Sequence, residues 1–176
     1  MVKPPLRSHK RLNPGALDAS ALYAACVDRA RAPHFYARLQ VPDTIDGRFD
    51  LVALHAFLVL EALKDAGFEE ELGSPFVTLV FAGFEEALRE LGVGDFGMAR
   101  RIKAMADAFY GRLEAYARAA GNEDALQAAL LRNVYRGAAD RKSAAGELAR
   151  YAITAQANAS ASLKEGTLNF GPLPES

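Results

Sequence analysis

Apolar residues recur along this chain at intervals of three and four positions, the spacing that places side chains on one face of an α-helix. The pattern predicts helices at about 19–31, 47–66, 75–91, 95–120, 123–136 and 143–158, with a short helical turn at 34–40. We find no convincing alternation of apolar and polar residues, which would indicate a strand, and no internal repeat. The sequence therefore predicts an all-α, single-domain bundle of about six to eight helices.

The two ends of the chain differ in composition from its middle. Residues 1–17 are rich in Pro, Gly and charge, and residues 159–176 are rich in Gly, Pro and Ser. Such segments lack a continuous apolar face to bury. We therefore predict a flexible basic N-terminal tail at 1–17, a helical domain at 18–158 and a C-terminal tail at 159–176.

One predicted helix, 47–66, is apolar over most of its circumference, and we expect it to lie at the centre of the bundle. Thr44 and two neighbouring aspartates, Asp43 and Asp46, are suitable caps for its start, and Gly67 is suited to its end. Its apolar residues are Phe49, Leu51, Val52, Leu54, Phe57, Leu58, Val59 and Leu63.

A glycine-rich turn opens directly into the longest predicted helix. Gly92 and Gly94 can adopt positive φ, so one helix can end and another begin within three residues. Asp95 is expected to cap the new helix with its carboxylate. The stripe that this helix would bury consists of Met98, Ile102, Met105, Phe109, Leu113 and Tyr116.

The first turns of the same helix carry an exposed basic group that is a candidate binding surface. Arg100 and Lys103 lie opposite the buried stripe, and Arg101 lies on its flank. Phe96 follows the expected cap, where it either staples the helix start or projects as an apolar anchor. Arg48, at the head of the central helix, is a second candidate unless it bridges to a nearby aspartate. The candidate partner-binding residues are Arg48, Gly92, Gly94, Asp95, Phe96, Arg100, Arg101 and Lys103. A solvated helix face is the plainer interpretation of the same charges.

Three blocks of sequence resemble the ubiquinol–cytochrome c chaperone family, the assembly factors of respiratory complex III. The first is the run GVGDFGMARRIKAMADAFYGR at 92–112. The second is VPDTIDGRFD at 41–50, followed by Leu54-His55 and Phe57-Leu58, and the third is LRNVYR at 131–136. The blocks occur in the family's order and cover about residues 20–155. The chain resembles the bacterial members of the family more than the mitochondrial ones.

The resemblance implies an assembly chaperone that binds newly made cytochrome b and promotes assembly of ubiquinol–cytochrome c reductase. It implies no catalysed reaction. Mitochondrial members act with a small partner subunit near the ribosome exit, so the ribosome or an anionic membrane surface is a further expected partner. The expected location is the cytoplasm, at the periphery of the inner membrane.

Composition and charge argue against a nucleic-acid partner, an intrachain disulfide and a membrane-spanning helix. The formal net charge is -1 and the pI about 6.3, so a nucleic-acid backbone is not an expected partner. A single cysteine, Cys26, excludes an intrachain disulfide. The longest apolar run, 51–63, contains His55 and Glu61 and is shorter than the roughly 20 residues that a membrane span needs.

A search for catalytic or metal-binding residues identifies only one candidate, His55. The three histidines have no metal-ligand spacing, and the GxGxxG letters at 92–97 lie between helices rather than after a strand. We therefore expect no catalytic residue, no cofactor and no metal. His55 is interpreted as a hydrogen-bonded core group, with a haem ligand or a proton-linked switch as the alternatives.

Two other classes of function remain open from the sequence. One is a peripheral membrane protein that binds lipid without a protein client, for which the basic residues would contact anionic headgroups. The other is a small helical enzyme, in which His55 would be the first residue to mutate. The chaperone interpretation predicts that charge reversal at Arg100 and Arg101 weakens client binding without loss of helicity.

Overall fold

The computed structural model describes residues 17–173, and within this range the chain forms helices and no strand. The seven α-helices are α1 (Ala19–Ala30), α2 (Pro33–Ala37), α3 (Ile45–Ala66), α4 (Ser74–Glu90), α5 (Asp95–Ala119), α6 (Glu123–Asn133) and α7 (Lys142–Lys164). A π-helical turn, Glu69–Gly73, precedes α4, and a 3₁₀ turn, Ala139–Arg141, precedes α7. The predicted all-α single-domain bundle is confirmed. Apart from Leu17, the predicted N-terminal tail lies outside the described residues.

Helix α3 is the centre of the bundle, and it packs against α1, α5 and α7. The side chain of Thr44 caps its start by accepting a hydrogen bond of 3.1 Å from the N–H of Gly47. Gly67 ends it in the left-handed conformation, with φ of 80°. Because almost every side chain between 49 and 63 is buried, α3 contributes to the core on all sides.

Two helix starts differ from the sequence-based expectation. Asp95 is not the cap of α5 but its first residue; Gly94 occupies the cap position and offers no side chain to the free N–H groups. The helix predicted at about 75–91 begins at Ser74, which is therefore not available as a cap, because the π-helical turn runs directly into α4 and Ser74 already has helical φ and ψ. In both cases the preceding backbone, rather than the side chain, sets the start of the helix.

Helix α7 continues to Lys164, six residues beyond the predicted end at 158. Its small residues, among them Ala145, Ala152 and Ala159, are buried, which allows close packing against α3. After α7 the chain returns over the bundle, and Phe170 is buried in the core. Arg29 holds this returning segment by donating a hydrogen bond of 2.7 Å to the carbonyl oxygen of Gly171.

Candidate partner-binding site

An apolar groove lies between the second half of α1, the start of α3, the end of α4 and the first half of α5. It consists of two clefts, of about 450 and 230 Å³, that share five lining residues: Ile45, Phe49, Leu88, Leu91 and Met105. Ile45 and Leu91 are each 53% exposed, and because both line the same groove they form an exposed apolar patch rather than scattered single side chains. This combination of concavity and exposed apolar surface is typical of a binding site.

Arginines lie at both ends of this groove. The larger cleft is also lined by Arg101, Arg112 and Arg136, which we call the arginine end. The smaller cleft is lined by Arg31 and Arg48. The groove therefore has an apolar centre and a basic rim, and the acids that line it are Asp46 at the first cleft and Glu90 at the second.

Asp50 holds two of the three arginines of the arginine end. It is fully buried, and its Oδ1 accepts from Nε and Nη2 of Arg112 at 2.7 and 2.6 Å. Its Oδ2 lies 2.8 Å from Nη1 of Arg136. The Arg112 guanidinium also lies 5.0 Å from the centre of the Phe49 ring, a cation–π contact. Burial raises the pKa of Asp50, and the charges of Arg112 and Arg136 oppose that rise.

Helical geometry separates the basic residues that the sequence grouped together on α5. Consecutive residues of a helix point about 100° apart. Arg101 consequently lies on the same face as Ala104, Ala108 and Arg112 and lines the groove, whereas Arg100 and Lys103 line neither cleft. Lys103 pairs with Asp107 at 3.2 Å on the outer side of the helix. Arg101 is exposed and forms no ion pair with another described residue.

The turn at 92–97 is exposed beside the groove. Gly92 has φ of 78°, a conformation that favours glycine, whereas Gly94 has φ of -74°. The carboxylate of Asp95 lies 3.6 Å from Arg89. Phe96 is fully exposed, so of its two expected roles the structure shows a projecting side chain rather than a buried staple.

Arg48 lies at the second cleft, and it also forms the bridge that the sequence left open. Its Nε donates to Oδ1 of Asp43 at 2.8 Å, and both side chains are more than half exposed. Exposed pairs of this kind contribute little to stability, because water competes for both charges. Arg48 can therefore exchange Asp43 for another carboxylate at small cost.

His55 is a hydrogen-bonded core residue, as one interpretation of the sequence held. Its Nδ1 lies 2.8 Å from the carbonyl oxygen of Leu51, and its Nε2 lies 2.9 Å from the hydroxyl of Tyr151. A neutral imidazole satisfies both contacts by donating from Nδ1 and accepting at Nε2. Burial lowers the pKa of His55 to about 4. Both ring nitrogens are thus engaged away from the groove.

Asp50, Arg112 and Arg136 form a cluster that was not predicted from the sequence. One signal for it existed, because an acid within an otherwise apolar helix needs a cationic partner when it is buried. The sequence does not show which cation pairs with Asp50, since Arg112 is 62 positions further along the chain. The described residues contain no group of three metal-ligating side chains. None of the helices in the described range is long and apolar enough to cross a membrane.

Comparison with known proteins agrees with the three sequence blocks. Residues 37–170 match the family described as ubiquinol-cytochrome C chaperone. Ubiquinol-cytochrome c reductase complex assembly factor 1 of Mus musculus is 26% identical over 119 residues, covering 66% of this chain and 40% of the mouse protein. The Xenopus laevis protein of the same name is 24% identical over 118 residues, covering 66% of this chain and 59% of its own length.

A solved structure has the same fold. The crystal structure of the Cbp3 homolog from Brucella abortus superposes with a TM-score of 0.73 at 32% identity and covers 88% of this chain and 89% of that one. The match to the family extends over most of the chain and includes α3, α4 and α5. The chain therefore belongs to the ubiquinol–cytochrome c chaperone family.

Proposed function

We propose that this protein is an assembly chaperone of ubiquinol–cytochrome c reductase and that its client is cytochrome b. Membership of the family supports the assembly role. The observation that carries the client-binding part is the groove, because it combines an open apolar surface with arginines at both ends. Such a surface suits the apolar segments and charged ends of a membrane protein before its assembly.

Within this proposal the candidate residues have different roles. Arg48 and Arg101 contact the client directly, because they line the groove. The turn from Gly92 to Phe96 extends the apolar surface beside Leu91. Arg100 and Lys103 face away from the groove, so we propose that they contact a membrane surface or the ribosome instead. The protein would then act in the cytoplasm, at the periphery of the inner membrane.

The client can be tested by site-specific photo-crosslinking in cells that make complex III. A photoreactive phenylalanine analogue at Leu91 lies in the groove, whereas the same analogue at Ile153 lies on α7, also at an exposed apolar position. We expect cytochrome b to be captured from position 91 and not from position 153. Equal capture from both positions would contradict the groove as the client site.

The assembly role is tested in the same cells by deletion of the gene. We expect loss of assembled complex III on native gels and loss of ubiquinol-dependent cytochrome c reduction, both restored by the wild-type chain. Normal complex III in deletion cells would exclude the assembly function itself.

One observation favours a second candidate, a peripheral lipid-binding protein without a protein client. Phe96 is fully exposed, and Arg100 and Lys103 are exposed within the next two turns of α5. An aromatic side chain beside cations is typical of contact with a membrane interface. Flotation with anionic liposomes that depends on Phe96, together with no captured protein from position 91, would support this alternative.

A further inference from the structure

We propose that the groove binds an amphipathic helix of the client and that a carboxylate on this helix pairs with Arg101 at the arginine end. This inference rests on the proposed chaperone function and specifies what the client segment must look like. The carboxylate would lie among apolar residues that cover Ile45 and Leu91.

The architecture of the groove favours a helical ligand. Peptides that bind in an extended form commonly add a strand to the edge of a sheet, and residues 17–173 contain no strand. The walls of the groove are instead helices, α1, α3, α4 and α5, with apolar side chains between them. A helix that presents apolar residues at intervals of three and four is the ligand that such a surface accommodates.

The charges at the arginine end favour a carboxylate. Asp50 already accepts from Arg112 and pairs with Arg136, so the cation without an acidic partner is Arg101. Arg101 is exposed, and its neighbours on the cleft wall include Ala104, Met105 and Ala108, whose side chains offer no carboxylate, so water occupies its guanidinium N–H groups until a ligand binds. A guanidinium pairs with a carboxylate through two parallel hydrogen bonds, and an apolar surrounding strengthens that pairing.

Asp50 acts in this site as a positioning residue. It holds Arg112 against Phe49 and pairs with Arg136, so one carboxylate faces two guanidinium groups and the cluster keeps a net positive charge beside the cleft. Arg136 is held from the other side of the same carboxylate, and it also donates to the backbone oxygen of Asn133. The site is thus partly built before any ligand binds.

The test uses two designed peptides of about 18 residues, long enough for a helix of several turns. Both carry a leucine stripe at helical spacing, and they differ only in a central Glu or Gln. Binding of each labelled peptide to the purified full-length chain is measured by fluorescence anisotropy. We expect the Glu peptide to bind about tenfold more tightly than the Gln peptide, the effect of a charge-assisted hydrogen-bonded pair.

The chain offers a matched control one residue away. Arg101→Glu should abolish the preference for the Glu peptide, and a third peptide with a central Lys should bind this variant better than wild type. Arg100→Glu makes the same change of charge on the same helix but outside the groove, so it should retain the preference. Arg101→Gln serves in place of Arg101→Glu if the reversal lowers the melting temperature.

Several outcomes would overturn the inference. Equal affinity of the wild-type chain for the Glu and Gln peptides would show that no carboxylate is recognised. Equal loss of the preference for the Glu peptide in the Arg100→Glu and Arg101→Glu variants would show a general effect of charge. Vesicles of anionic phospholipid that bind in an Arg101-dependent manner, without any peptide preference, would assign the site to lipid phosphate. If any of these results is obtained but cytochrome b is still captured from position 91, the chaperone proposal stands, and only the recognition of a client carboxylate by Arg101 is excluded.

Discussion

The buried carboxylate of Asp50 offers the sharpest test of how the arginine end is built. Asp50→Asn keeps the size and shape of the side chain but removes its charge. The new amide can still accept from Arg112 through its oxygen, yet its NH₂ group then faces Arg136, which is itself a donor. The variant therefore leaves Arg112, only 15% exposed, without a counter-charge.

The expected loss of stability in Asp50→Asn depends on how exposed Arg112 and Arg136 are. Breaking a buried ion pair by removing one partner costs roughly 3–5 kcal/mol. Arg136 is 50% exposed and can turn to water, so its share of the loss is small. We therefore expect a loss of about 3 kcal/mol in the free energy of unfolding, the lower end of that range. For a chain of this length the loss corresponds to a fall of about 6–12 °C in melting temperature.

Urea unfolding at pH 7, followed by circular dichroism, measures this loss directly. Asp28→Asn is the matched control, because Asp28 is exposed and forms no ion pair with another described residue; it should stay within about 0.5 kcal/mol of wild type. Replacing the pair together, as Asp50→Leu with Arg112→Met, should cost less than Asp50→Asn alone, because the charge that is left without its partner is then the half-exposed Arg136 rather than the buried Arg112. An Asp50→Asn variant as stable as wild type would refute the reasoning.

Three further predictions concern the core and the glycines. Because the pKa of His55 is lowered to about 4, the unfolded chain takes up its proton first as pH falls below about 6.5, and stability falls with it. Between pH 7 and pH 5 we expect His55 to account for about 2 kcal/mol of lost stability, measured as the difference in urea unfolding between wild type and His55→Gln. Tyr151→Phe should cost about 1–3 kcal/mol, because Nε2 of His55 loses its buried donor, and denaturant titration checks this. Gly47→Ala should lower the melting temperature strongly, since its Cβ would lie 1.9 Å from the backbone oxygen of Pro42, whereas Gly94→Ala, with open space around it, should not.

The sequence alone determined the helices and most of their boundaries. Apolar spacing along α3 and α5 sets which faces are buried, and the local chemistry of Asp18, Asn122 and Gly67 sets where helices begin and end. These features depend on residues within a few positions of one another, so they can be read directly from the chain. The same holds for the three blocks that identified the family.

Only the tertiary structure decided the form of the candidate site. The groove exists because α1, the start of α3, the end of α4 and the first half of α5 meet, and no local pattern fixes how such distant segments approach one another. The pairing of Asp50 with Arg112 joins residues 62 positions apart for the same reason. Arg100 and Arg101 are adjacent in sequence and equal in charge, yet only Arg101 faces the groove, because the packing of α5 against the bundle selects which face of the helix is left at the cleft.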